Sequence, residues 1–122
     1  MKNIRLNSII AAVGLAMMMP LSAQSQAGFT FLNGSQLLQK CESDSNAAYE
    51  TCSGFILGIH DYNEALVGLE ILPTKTFCAP LDATAGQLVK VVTKYLNEHP
   101  ENLHYAAGSE VPVALMEAFP CS

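Results

Sequence analysis

The sequence predicts an all-α domain, a compact bundle of about four helices pinned by two disulfides. Three observations predict it: a long stretch of helical apolar periodicity, a second amphipathic segment with its own start and stop signals, and four cysteines. The long stretch is Asn46–Leu69, where Ala48, Cys52, Phe55, Ile56, Ile59, Tyr62, Leu66 and Leu69 recur at steps of three and four. That spacing lines one face of an α-helix, whereas a strand requires alternation. Glu50, Ser53, Asp61 and Glu64 fall off the stripe, on a wetter flank. Gly54 and Gly58, four apart, form a second line of small residues. Each costs about 1 kcal/mol relative to alanine. They are either tolerated, or they mark where another backbone, of this chain or of a second copy, packs closely.

The segment before the fold has a different character. Lys2 and Arg5 precede an apolar run from Ile9 to Met19, followed by Pro20 and small residues through Ala27. This order is that of a secretory signal peptide cleaved after Ala23 or Ala27, Ser25-Gln26-Ala27 having the better small-x-small form. The apolar run falls short of the ~20 residues that span a bilayer. No cysteine follows it at once, which argues against a lipoprotein anchor. The expected product is a periplasmic domain over residues 28–122, large enough for one modest core. That part carries four lysines and no arginine against eleven carboxylates, an excess of seven negative charges. Such a chain repels nucleic acid and anionic lipid, and it attracts a basic partner.

Cys41, Cys52, Cys78 and Cys121 all lie in the mature part, and an even count in an exported chain reads as two disulfides. None of the spacings is the C-x-x-C of a zinc knuckle or a thioredoxin-like centre.

Taken in order, Phe29–Leu32 reads as a short extended arm. A first helix begins near Ser35, an N-cap after the Asn33-Gly34 turn, with Leu37, Leu38 and Cys41 on one face. The polar run Glu42–Asn46 ends it, and the long helix turns back against it. From Gly68 to Pro80 the periodicity breaks around Pro73-Thr74-Lys75-Thr76 and Pro80. Leu69, Ile71, Leu72 and Phe77 are apolar for a loop; they either cap the core or form a partner surface. The next helix opens on a T-x-x-Q capping box, Thr84 to Gln87, with Asp82 ahead of it. Leu88, Val91, Val92, Tyr95 and Leu96 share a face, and Pro100 stops the helix by His99. A linker, Glu101–Gly108, carries His104 and Tyr105. The last helix is expected from about Ser109 to Phe119, which would leave Pro112 in its first turn.

Chemistry-bearing patterns are sparse. His60 and Glu64 share a helical face, but His60 and the adjacent Asp61 diverge by about 100° and are not expected to act together. Zinc would need further ligands, and only His99 and His104 remain, in a distant linker. Oxidised cysteines supply no nucleophile. There is no G-x-S-x-G, H-E-x-x-H, phosphate-cradling glycine loop or basic aromatic patch. The census favours a binding protein over an enzyme, with no cofactor and no metal.

Several segments resemble a known family: Cys41, then C-S-G-F-I-L-G-I-H-D (Cys52–Asp61), F-C-A-P (Phe77–Pro80), T-A-G-Q-L-V-K-V-V-T-K-Y-L-N-E-H-P (Thr84–Pro100) and A-L-M-E-A-F-P-C (Ala114–Cys121). In this order they look like the Rap/Tai immunity proteins, the terminal F-P-C with four cysteines being the most specific part. The resemblance implies a small periplasmic protein, dimeric, that neutralises a peptidoglycan amidase effector delivered by type VI secretion. Gly108 and Pro112 depart from the family's better helix there, so the last helix is expected to start late. A reading of another class is an acid-stress chaperone of the HdeA type, since eleven carboxylates would lose charge at low pH.

The expected pairing is Cys41–Cys52, closed by the hairpin of the first two helices, and Cys78–Cys121, at the outer ends of two antiparallel helices. As an inhibitor of an open polymer-binding groove, the chain offers two loops, Gly68–Thr76 and Glu101–Gly108. Leu69, Ile71 and Leu72 are candidate apolar anchors; Glu70, Lys75, His104 and Tyr105 are candidate polar tips. Gly54 and Gly58 are candidates for dimer packing.

Overall fold

A computed structural model describes residues 31–122, and polar residues at each chain reversal and apolar residues on each helical face divide these described residues into four helices. The signal peptide expected over residues 1–27 and the first half of the expected arm at 29–32 lie outside the described residues. The helices are α1 (Gly34–Cys41), α2 (Asn46–Gly68), α3 (Ala85–Glu98) and α4 (Ala107–Ala118), with a 3-10 turn at Pro100–Asn102 between the last two. Among the described residues there is no named strand, only one antiparallel bridge between Asn33 and Ala106. The all-α architecture is therefore as expected.

α1 folds back on α2, and α3 packs against all three other helices, so α3 is the centre of the bundle. Its face of Leu88, Val92, Tyr95 and Leu96 meets Leu37, Ile56, Val111 and Leu115. Most of these side chains are wholly buried, and each such aliphatic group contributes about 1.5–3 kcal/mol by leaving water. Burial pushes the Tyr95 phenol above its ordinary pKa, and the charges of Glu110 and Glu117 add to the effect. Glu110 itself is buried in the first turn of α4, and its Oε2 has no hydrogen-bond partner.

Both disulfides form as expected. Cys41–Cys52 closes a separation of 11 residues and Cys78–Cys121 one of 43. By the entropy removed from the unfolded chain they contribute about 3 and about 4 kcal/mol. That is a large share for a domain whose total is on the order of 5–15 kcal/mol.

Three local expectations need correction. The N-cap of α1 is Asn33, not Ser35: Asn33 Oδ1 accepts from the Gln36 amide at 2.8 Å, and Gln36 Oε1 accepts from the Asn33 amide at 3.0 Å. Gly34 is already helical and lies so close to the backbone of Leu103 that a Cβ would stand 3.1 Å from its Cα. Second, α4 begins at Ala107 rather than Ser109, and Pro112 sits inside it, beyond the first turn. The reason is long-range. Gly34 N–H donates to Tyr105 O, Ser35 N–H to Leu103 O and Ala107 N–H to Leu32 O, each at 2.9 Å. These bonds fix the start of α4 without a side-chain cap, and the proline leaves the exposed Gly108 carbonyl without its helical donor.

The third correction concerns α2. Its inner line runs through Cys52, Ile56 and Asn63. Tyr62, about 100° of rotation away from Asn63, is 64% exposed, and Leu69 is 70% exposed. The apolar stripe read from the sequence thus leaves the core near its C-terminal end.

Candidate functional site

α2 ends in a turn whose hydrogen bonds are those of a Schellman motif. Leu69 caps the helix, Glu70 N–H donates to Val67 O at 3.0 Å, and Ile71 N–H donates to Leu66 O at 2.9 Å. The residue after the cap must adopt left-handed backbone, usually as glycine; here it is Glu70, at φ 58°. The reversal throws Leu69 and Ile71 outward, 70% and 62% exposed, while Leu72 turns back and is half-buried.

The return limb of this loop is fastened by one buried amide. Asn63 Oδ1 accepts from the Thr76 amide at 2.8 Å and from Thr76 Oγ1 at 2.7 Å. Its Nδ2 donates to Phe77 O at 3.1 Å. Phe77 is buried, and the next residue, Cys78, is tied to Cys121 and donates its amide to Phe119 O at 2.8 Å. Lys75 is not a free tip: its Nζ lies 2.7 Å from Glu64 Oε2, which fastens the loop to α2 a second time. An exposed apolar turn therefore stands on a root held by an amide, an ion pair and a disulfide.

The second loop is braced differently. Pro100–Asn102 forms the 3-10 turn, and the backbone of Leu103–Ala107 is bonded to residues 32–35. His104 and Tyr105 are exposed, with ring centroids 4.1 Å apart. Glu101 has its carboxyl held below the usual range by its own backbone amide and then by His99, whose Nδ1 lies 3.2 Å from Oε1. The two candidate groups thus hang from separate roots, one on α2 and Cys78–Cys121, the other on the segment before α1.

Gly54 and Gly58 face outward, and a Cβ at either would meet nothing within 4 Å. Among the described residues no backbone packs closely there, which removes packing within the described chain and leaves tolerated glycines or a second copy. With Tyr62, Ala65 and Leu69, they make an exposed face of α2 that runs into the loop, with the exposed carboxylate of Asp61 at its edge. His60 does meet Asp61, Nδ1 to Oδ1 at 3.3 Å, contrary to the divergence expected of adjacent helical residues; both side chains swing toward each other at the surface. Glu64 is engaged by Lys75 instead. Among the described residues, no group of three His, Cys, Asp or Glu is placed to hold a metal. None of the described helices is long and apolar enough to cross a membrane.

Asn63, which fastens the root of this candidate site, is the residue that sequence reasoning missed. An amide on an otherwise apolar helical line was the available signal. Asn63→Ala removes three hydrogen bonds and leaves the carbonyl of buried Phe77 without this donor, at about 1–3 kcal/mol, while the part-buried groups of Thr76 turn to water. We expect Tm to fall by about 4 °C or more, while Tyr62→Ala, on the exposed face, moves it by less than about 3 °C. Thermal melts followed by circular dichroism check both; equal Tm values for Asn63→Ala and wild type would remove the fastening role.

Comparison with known proteins agrees with this architecture. The family model of Rap1a immunity proteins matches residues 33–121, from the N-cap of α1 to the last cysteine. No curated protein matches the chain. With all four helices and both disulfides inside the matched span, the chain belongs to the Rap1a immunity protein family.

Proposed function

We propose that this chain is a periplasmic immunity protein that binds a type VI secreted peptidoglycan amidase and blocks its active-site cleft. The observation that carries the reading is the loop after α2: two exposed apolar side chains, Leu69 and Ile71, on a root fixed by Asn63, Lys75–Glu64 and Cys78–Cys121. An enzyme acting on a bulky polymer keeps an open groove. A preformed protrusion fills such a groove without the entropic cost of ordering a flexible segment. Family membership favours this reading over an acid-stress chaperone, and immunity proteins generally act by binding rather than by catalysis.

Export follows from the signal-like residues 1–27, and the two disulfides fit an oxidising compartment. The acidic excess speeds encounter with a basic effector, an effect that fades as salt rises. His104 and Tyr105 offer a second contact from the braced linker. The small-residue face of α2 at Gly54 and Gly58 suits a second copy of the chain, since two helices approach closely where side chains are small.

Co-expressing the exported protein with the type VI amidase of the same genome tests the function. Protection from lysis is expected, and shortening the Gly68–Thr76 loop should abolish it while the fold persists. Lysis despite abundant folded protein, with no complex on a sizing column, would contradict immunity against that effector. For the dimer, light scattering at micromolar concentration should give twice the mass of the mature chain, and Gly58→Leu should halve it. A monomer that persists through a tenfold rise in concentration would exclude the dimer.

A further inference from the structure

Glu70 occupies a position that three local preferences oppose. Left-handed backbone costs an ordinary L-residue about 1–2 kcal/mol, and glycine would avoid it. A carboxylate just past a helix C-terminus faces the negative end of the helix dipole, and the last turn of α2 holds no basic residue. Finally, among the described residues no cation pairs with it, and Lys75, the loop's own lysine, pairs with Glu64. Yet this exposed carboxylate sits between the two most exposed apolar side chains of the loop, Leu69 and Ile71. Sites where local rules are broken without local compensation are sites of function.

We propose that Glu70 is the selectivity-determining contact of this loop, its carboxylate receiving a lysine or arginine side chain of the effector while Leu69 and Ile71 cover the apolar stem of that side chain. The inference rests on the reading of the loop as the effector-binding surface. The chemistry is complementary on each count. The dipole end and the unpaired carboxylate together concentrate negative potential on the turn. A lysine or arginine carries a long apolar stem that suits the flanking leucine and isoleucine. A charge-assisted bond made only in the complex discriminates among effectors more sharply than apolar contact does.

The test uses the oxidised mature protein, with the type VI amidase of the same genome as the probe, and compares Glu70→Gly, Glu70→Gln and the double variant Leu69→Ser/Ile71→Ser. Tm is expected to rise by about 4 °C or more in Glu70→Gly, as the strained backbone is relieved. Both Glu70 variants are expected to bind the amidase about tenfold or more weakly, and to show a shallower salt dependence than wild type, whose remaining carboxylates still contribute. Glu70 variants that bind like wild type, while the double variant fails to bind, overturn the proposal and leave the loop reading intact. Indifference of all three variants, or no binding by wild type, overturns the loop reading and the proposal with it. A change in self-association without a change in amidase binding assigns the contact to a second copy and overturns the proposal as well.

Discussion

The carboxamide of Asn63 is the joint on which the loop after α2 depends. It uses both oxygen and nitrogen to hold Thr76 and Phe77, so the loop that begins at the end of α2 is returned to α2 a turn before that end. Because the group is buried, the alternative to these bonds is an unpaired amide in an apolar setting, which makes the geometry hard to relax. Phe77 then enters the core and Cys78 joins the C-terminus, so one short segment links loop, core and chain end. The surface that results is apolar at its tip and rigid at its root.

A small domain with this arrangement draws on covalent constraint more than a large one does. Its buried core is organised around α3; one disulfide closes the α1–α2 hairpin and the other joins the segment before α3 to the residue after α4. Their placement differs in consequence. Cys41–Cys52 is buried and joins α1 to α2, whereas Cys78–Cys121 is exposed and lies at the root of the loop. The first therefore supports the fold generally, and the second supports the presentation of the candidate surface.

Much of this was legible in the sequence because the signals were local. Thr84 and Gln87 mark the start of α3 by their own hydrogen bonds, and Pro100 ends it by sterics that act on neighbouring residues. The cysteine pairing followed from the order of helices alone. What was not legible depends on contacts distant in sequence. α4 starts early because Leu32 accepts from Ala107, a bond that no periodicity reveals. Tyr62 and Leu69 match a helical stripe but face water, since the stripe's phase is decided by what packs against it. For the site, the apolar loop residues and Glu70 could be read, but the role of Asn63 could not. An asparagine in a helix is unremarkable until Thr76 and Phe77 are known to lie beside it.

The central claim is that the loop after α2 is preformed in the free protein, and hydrogen exchange of its backbone amides tests that directly. In the oxidised, unbound protein the amides of Ile71, Leu72 and Thr76, each donating within the chain, are predicted to exchange far more slowly than those of an unstructured peptide. Exchange of these three amides at the unstructured rate, while the amides of α3 stay protected, would contradict the account.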